Sequence, residues 1–432
     1  MVANDVYSFL EKYKLNAESV DFEKVLDFFF NQMEKGLDGK DSSLEMIPTY
    51  ATDTENAKPG QSVIVLDAGG TNFRTCLVTF DEELKPIISD FKKVGMPGVK
   101  AEVSAKEFFS VLADNVERLI DKSDNIGFCF SYAATITPEH DGIPIVFSKE
   151  VKAPEVIGKP IGKALLAELA SRGYDVSKKK ISIVNDTVAT LLATKAGYNG
   201  YNSGCIGFIL GTGTNTAYCE MNENIAKIDY EEEGAQIINV ESGGLKLKLG
   251  EMDEGFLQTT KNPNSYFFEK MISGAYLGAF SHYVIGKAIE EGIFSEAFAT
   301  RFNAIPTLTT TEMSNYLEMP HNTDYVLVNC VGDDEEDAKT LFILLDSLIE
   351  RAAKLTAVNL SAAVLRGGLG VNPRYPAVIN ADGTTFYKTE KLKEYTEYYL
   401  TEYLQKQYHR YVKMVKIDDS PVLGAAIAGL SI

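Results

Sequence analysis

Val63-Ile64-Val65-Leu66-Asp67-Ala68-Gly69-Gly70-Thr71-Asn72 is an apolar run that meets a glycine turn. A short continuous apolar run bounded by a turn signal reads as a buried strand. A second strand, Phe73 to Phe80, leaves the turn. The pattern returns at Cys205–Leu210, followed by Gly211-Thr212-Gly213-Thr214-Asn215 and a strand from Thr216 to Met221. The two turns both end in Thr-Asn, with Asn72 and Asn215 lying 143 residues apart. This reads as a faint internal duplication, two lobes each offering a glycine-rich hairpin, against chance likeness of two turns.

Around these hairpins strand and helix patterns alternate, which favours an α/β fold. Strands are expected at Asn125–Phe130 and Ile181–Val184, and helices near 105–121, 161–172 and 188–196. Residues 4–36 read as helices, with Val6, Phe9 and Leu10 and then Val25, Leu26, Phe29, Phe30 and Met33 at helical spacing. Residues 37–60 read as a polar connection. One long helix is expected over 266–290, its small residues Ser273, Gly274, Ala275, Gly278 and Ala279 suited to close packing. Residues 338–358 read as a helix and Ala362–Leu365 as a strand ending in Gly367-Gly368. A tyrosine-rich amphipathic helix over 390–411 and a short apolar helix, Val422–Leu430, follow. Lys178-Lys179-Lys180 reads as a solvated turn.

At 432 residues the chain exceeds the roughly 250–300 residues at which single cores stop growing. Its net charge of −19 argues against nucleic acid and anionic membranes as partners. The same charge repels a nucleotide, so an ATP site here needs local amide donors, an Arg or Lys, and a metal ion. The five cysteines are far apart and the four histidines scattered, which suggests neither a disulfide framework nor a zinc site. The N-terminus lacks a secretory pattern and no run approaches the ~18 apolar residues of a membrane span. A cytoplasmic protein is expected; no protein partner is implied.

Asp67, Gly69, Gly70, Thr71, Asn72 and Arg74 carry the first candidate chemistry. Glycine lets backbone N–H groups approach a phosphate, and such turns make concave anion sites. Arg74 can reach a phosphate oxygen, and Asp67 can hold Mg²⁺ directly or through water. An ordinary hairpin turn is the plain alternative. Gly211, Thr212 and Gly213 offer the same chemistry on the second lobe. Asn185-Asp186-Thr187 lies between a strand and a helix, where Asp186 can take a proton from a hydroxyl nucleophile or the tripeptide can simply cap the helix. Glu241 and Glu269 can accept sugar hydroxyls or be merely solvated.

Together these segments resemble the hexokinase family, within the actin/Hsp70/sugar-kinase superfamily. The resemblance runs from about residue 60 to the C-terminus. Leu66 to Arg74 and Gly207 to Asn215 look like the family's two phosphate motifs. Ser131, Ser148-Lys149, Val184 to Val188, Asn239 to Glu241 and Phe268 to Gly278 look like its sugar-binding segments. Ala381 to Thr384 with Tyr387-Lys388 looks like its adenosine region. The resemblance implies a two-lobed actin-like, ribonuclease H-like ATPase fold, mixed sheets flanked by helices around a central cleft. It implies transfer of the ATP γ-phosphoryl group to a hexose 6-hydroxyl, the first step of glycolysis, with glucose as the expected sugar and Mg²⁺ as the ion. Asp186 would be the general base. Ser131, Ser148, Lys149, Asn185, Asn215, Glu241 and Glu269 would hold the sugar. Asp67, Gly69, Gly70, Thr71, Asn72, Arg74, Gly211, Thr212 and Gly213 would face the phosphates and ion, and Thr384 the adenosine. A catalytically inactive sugar sensor is the alternative, as is another kinase or ATPase on the same fold.

Departures are visible. The chain has no Trp: Phe147-Ser148 stands where the family often has Trp-Thr, and Glu241-Ser242-Gly243 where it often has Glu-Trp-Gly. Pro421 removes an N–H from a loop, 418–424, that resembles the family's last glycine-rich loop only at its end. The expected small lobe is 59–187 plus 419–432, and the large lobe 1–58 plus 188–418.

Overall fold

The computed structural model describes residues 5–52, 57–147, 151–229 and 233–432. Two sheets organise them. The first has five strands in the order Pro86–Gly95, Asn72–Phe80, Ser62–Gly69, Asn125–Phe130, Lys180–Val184. The second has six, in the order Ile47–Pro48, Ala235–Asn239, Thr214–Met221, Gly204–Leu210, Ala377–Asp382, Val412–Val415. Without its edge strand Ile47–Pro48, the second sheet repeats the first. In each, an antiparallel hairpin is extended by a third antiparallel strand on one side and two parallel strands on the other. The duplication suggested by two turns is thus a duplication of whole-sheet topology.

Alternation within the strands places three cores. Ile64, Leu66, Phe73 and Phe128 point to one face of the first sheet, packing with Phe108, Leu112 and Leu165 of its outer helices. Val63, Val65, Cys76, Val78 and Cys129 point to the other face. There they join Val188, Leu191 and Leu192 from the helix Asp186–Leu192 and Ala425 to Ala428 from the helix Ser420–Leu430. Cys205, Ala217 and Val378 of the second sheet complete this central core. The far face of the second sheet packs on the 32-residue helix Glu335–Arg366 and the N-terminal helices.

The two central helices approach very closely. A Cβ added at Gly127 would overlap the Ala425 carbonyl, and one added at Gly424 would overlap the Ala189 carbonyl. Backbone therefore lies on backbone from the first sheet through the helix Ser420–Leu430 to the helix Asp186–Leu192. Pro421 falls in the first turn of Ser420–Leu430, where a missing N–H leaves no helical hydrogen bond unmade.

Several expectations change. Ala362–Leu365 is the end of the helix Glu335–Arg366, not a strand. This helix is buried on nearly all sides from Arg351 to Val364, so its apolar run carries no period that marks it as helical. The helix over 266–290 is two helices, Phe267–Ile272 and Leu277–Glu290. They break because the N–H groups of Gly274 and Ala275 donate to the carbonyls of Gly211 and Thr212, at 2.9 and 3.1 Å. The polar connection 37–60 contains the edge strand Ile47–Pro48, and 390–411 divides into helix and π-helix before the strand Val412–Val415. Lys179 is not solvated: its side chain is 7% exposed and pairs with Asp124 at 2.8 Å.

Candidate active site

The parallel strands of the first sheet end side by side, with Asp67 opposite Cys129 and Cys129 opposite Val184. Strand ends of this kind are where open α/β sheets present their chemistry. Asp67 lies at that edge, 2% exposed, and Ser131 and Asp186 each follow two residues after a register partner. Asn185 is the N-cap of the helix Asp186–Leu192, its Oδ1 accepting from Thr187 N at 2.8 Å. The capping and acid–base readings of this tripeptide are therefore compatible. Asn185 caps, and Asp186 stands in the first turn with its carboxylate 3.4 Å from the Thr187 hydroxyl.

From the second sheet comes a polar network centred on Asn215. Its Nδ2 donates to Glu241 Oε1 at 3.1 Å and to Asn239 Oδ1 at 2.7 Å, while Asn239 Nδ2 donates to Glu241 Oε1 at 2.8 Å. Glu241 itself holds a left-handed backbone at φ 55°, a conformation that costs energy for a non-glycine residue and clusters at functional sites. Burial pushes its carboxyl up to about 7, partly opposed by the Asn239 hydrogen bond and reinforced by the charges of Asp186 and Glu269. The charges of Asp186 and Glu269 thus both bear on Glu241. Glu269 Oε2 accepts from Thr214 N at 3.1 Å, which ties this carboxylate to the second glycine turn.

Beyond that turn a pocket of about 860 Å³ opens, lined by Gly211, Thr212, Gly274, Thr384, Thr385 and Lys388 among others. Thr385 Oγ1 donates to the Gly211 carbonyl at 2.9 Å. The first glycine turn is held from the other side, by Tyr132 Oη donating to the Gly70 carbonyl at 2.8 Å. Within that hairpin Arg74 Nε lies 3.0 Å from Asp67 Oδ2, an ion pair without hydrogen-bond alignment. Thr71 is exposed, and Gly69, Gly70 and Asn72 are half-buried beside it.

The structure therefore joins Asn215 and Glu241 in one hydrogen-bonded network within electrostatic reach of Asp186 and Glu269, and places Thr384 with Gly211 and Thr212 at one pocket. Ser148 and Lys149 lie outside the described residues. Tyr132 and Thr385 lie outside the motifs read from the sequence, and Asn239 enters there only as the first residue of a segment, Asn239 to Glu241, with no role of its own. A polar residue ending an apolar run, as in Ile237-Ile238-Asn239, is the signal that marks Asn239.

Two duplicated sheets facing a cleft, with carboxylates and amides at one end and a glycine-turn pocket at the other, define a two-lobed sugar kinase. Hexokinase family models match residues 5–196 and 205–431, and the chain belongs to the hexokinase family. The hexokinase of Schistosoma mansoni is 28% identical over 392 residues, covering 85% of this chain and 84% of that protein. Hexokinase-7 of Oryza sativa subsp. japonica is 26% identical over 413 residues, covering 89% and 88%. Among solved structures, the S. mansoni hexokinase complexed with glucose superposes with a TM-score of 0.79 at 24% identity, covering 99% of each chain. A glucokinase from an Antarctic psychrotroph shares the fold more distantly, with a TM-score of 0.53 at 15% identity over 86% of this chain and 99% of its own.

Proposed function

We propose that this chain is an active ATP-dependent hexokinase that transfers the γ-phosphoryl group to the 6-hydroxyl of glucose or a similar hexose, releasing ADP. The convergence of Asp186, Glu241 and Glu269 on one cleft, beside the pocket of Thr212 and Thr384, carries this reading. Asn215, Glu241 and Glu269, with Ser131, Asn185, Ser148 and Lys149, would hold the sugar hydroxyls. Asp186 would accept the 6-hydroxyl proton as the oxygen attacks phosphorus, so that catalysis rests on positioning and charge. Arg74, Thr71, Asn72 and Thr212 would meet the phosphates, and Thr384 the adenosine.

Among the described residues no three His, Cys, Asp or Glu side chains cluster as metal ligands. A lone carboxylate suits Mg²⁺, which keeps several waters and takes phosphate oxygens from its substrate. Asp67 would contact such an ion directly or through water. Bound with the triphosphate, the ion neutralises charge on the phosphate oxygens.

We place the reaction in the cytoplasm, at the entry to glycolysis. Burial raises the Cys76 thiol to about 12 and Cys129 well above its usual range, as for inert reduced cysteines. Among the described residues no helix is long and apolar enough to cross a membrane. The lobes are taken as 59–187 plus 419–432, and 1–58 plus 188–418.

The test is turnover with Mg²⁺, ATP and a panel of hexoses, following ADP and hexose 6-phosphate. Asp186→Asn should fold, bind sugar, and lose about 10²–10⁴-fold in kcat. Sugar binding without turnover in the parent protein would favour an inactive sensor. Neither binding nor turnover would remove the sugar assignment.

A further inference from the structure

Ser242 directly follows Glu241. It is fully buried, and its hydroxyl lies 3.3 Å from that of Thr216, also fully buried. Thr216 Oγ1 in turn accepts a hydrogen bond from Asn359 Nδ2 at 2.7 Å. Asn359 is 2% exposed and belongs to the helix Glu335–Arg366, between the buried Val358 and Leu360. An amide in such surroundings is costly unless bonded, so this contact with Thr216 is strongly directional.

The backbone of the same two residues holds Asn215. Thr216 N and Ser242 N both donate to Asn215 Oδ1, at 2.7 and 3.3 Å. With its oxygen held by two donors, the Asn215 amide has one orientation. Its Nδ2 must then point at Glu241 and Asn239, as observed.

We infer that Asn359 is a positioning residue for the sugar site, acting through the Thr216 and Ser242 hydroxyls to fix Asn215 and, through it, Glu241. The inference rests on the hexokinase reading. The effect of Asn359 should reach the sugar and spare the nucleotide, because the pocket beside Thr384 shares none of these contacts.

The experiment compares Asn359→Leu, Thr216→Val, their double variant and Ser242→Ala by steady-state kinetics and thermal melting. Asn359→Leu and Thr216→Val should each raise the glucose KM about tenfold, and the double variant by little more than either. The ATP KM should stay within about twofold of the parent. Thr216→Ser, which keeps the hydroxyl, should restore the parent glucose KM. Ser242→Ala alters the core least and should fold even if Asn359→Leu does not; it should raise the glucose KM in the same direction. A parent glucose KM in variants that merely melt earlier would overturn the inference and leave the hexokinase reading standing. A parent protein that neither binds nor phosphorylates any hexose would overturn both.

Discussion

Gly213 lies against Glu269, so that a Cβ added to the glycine would stand 2.5 Å from Glu269 Oε2. The second glycine turn and the Glu269 carboxylate are therefore parts of one unit, joined also by Thr214 N to Glu269 Oε2. Gly213→Ala should displace Glu269 from the sugar while leaving the rest of the chain folded. The expected result is a glucose KM raised by about tenfold or more and a lowered kcat, with a melting temperature within a few degrees of the parent. Unchanged glucose kinetics would mean that Glu269 does not hold the sugar.

Thr385 closes the other side of this turn through its hydroxyl on the Gly211 carbonyl. Thr385→Val keeps the shape and removes the donor. It should raise the ATP KM roughly 3- to 10-fold, as expected for a lost neutral hydrogen bond. Glucose affinity, measured by titration calorimetry without nucleotide, should not move.

Glu241 predicts a pH dependence with two opposite faces. Its folded pKa of about 7 exceeds the ordinary 4.5, chiefly through burial. Between those values the folded, sugar-free protein holds a proton that the unfolded chain releases, so this group's contribution to stability falls as pH rises from 4.5 to 7. Glu241→Gln removes the effect, and its melting temperature relative to the parent should climb between pH 5 and pH 8. On the proposed role of Glu241, sugar hydroxyls would donate to the ionised carboxylate, so glucose affinity of the parent should strengthen over the upper part of the same range. A flat difference in melting temperature would exclude the assigned shift.

Close backbone approach around the helix Ser420–Leu430 predicts large effects from single methyl groups. Gly127→Ala and Gly424→Ala each force the helix Ser420–Leu430 off a neighbouring backbone. Each should lose about 1–3 kcal/mol of stability in denaturant melts, more if the helix cannot shift. Gly286, in the helix Leu277–Glu290 with nothing within 4 Å of an added Cβ, is the control. Gly286→Ala should gain roughly 0.5–1 kcal/mol from helix propensity alone.

What the sequence made legible follows from the range of the forces involved. Asn125–Phe130 was readable because burial on both faces of a parallel strand leaves an unbroken apolar run. Asp186 and Asn185 were readable because a helix start has local chemistry. The break at Ser273–Tyr276 was hidden because its cause is the carbonyl groups of Gly211 and Thr212, some sixty residues earlier. Ala362–Leu365 was misread because complete burial erases helical periodicity. Asn359 lies just past the helix expected over 338–358, and only the fold places it beneath Thr216.

The helix Ser420–Leu430 also governs how the molecule can be built. It covers the inner face of a sheet whose last strand ended at Val184, more than two hundred residues earlier. On the ribosome that sheet emerges with Val63, Val65 and Cys129 uncovered, and the whole of the second sheet is synthesised before their cover appears. The first sheet thus lacks this cover through most of translation, and the interval leaves an apolar sheet face open to chaperones or to wrong partners.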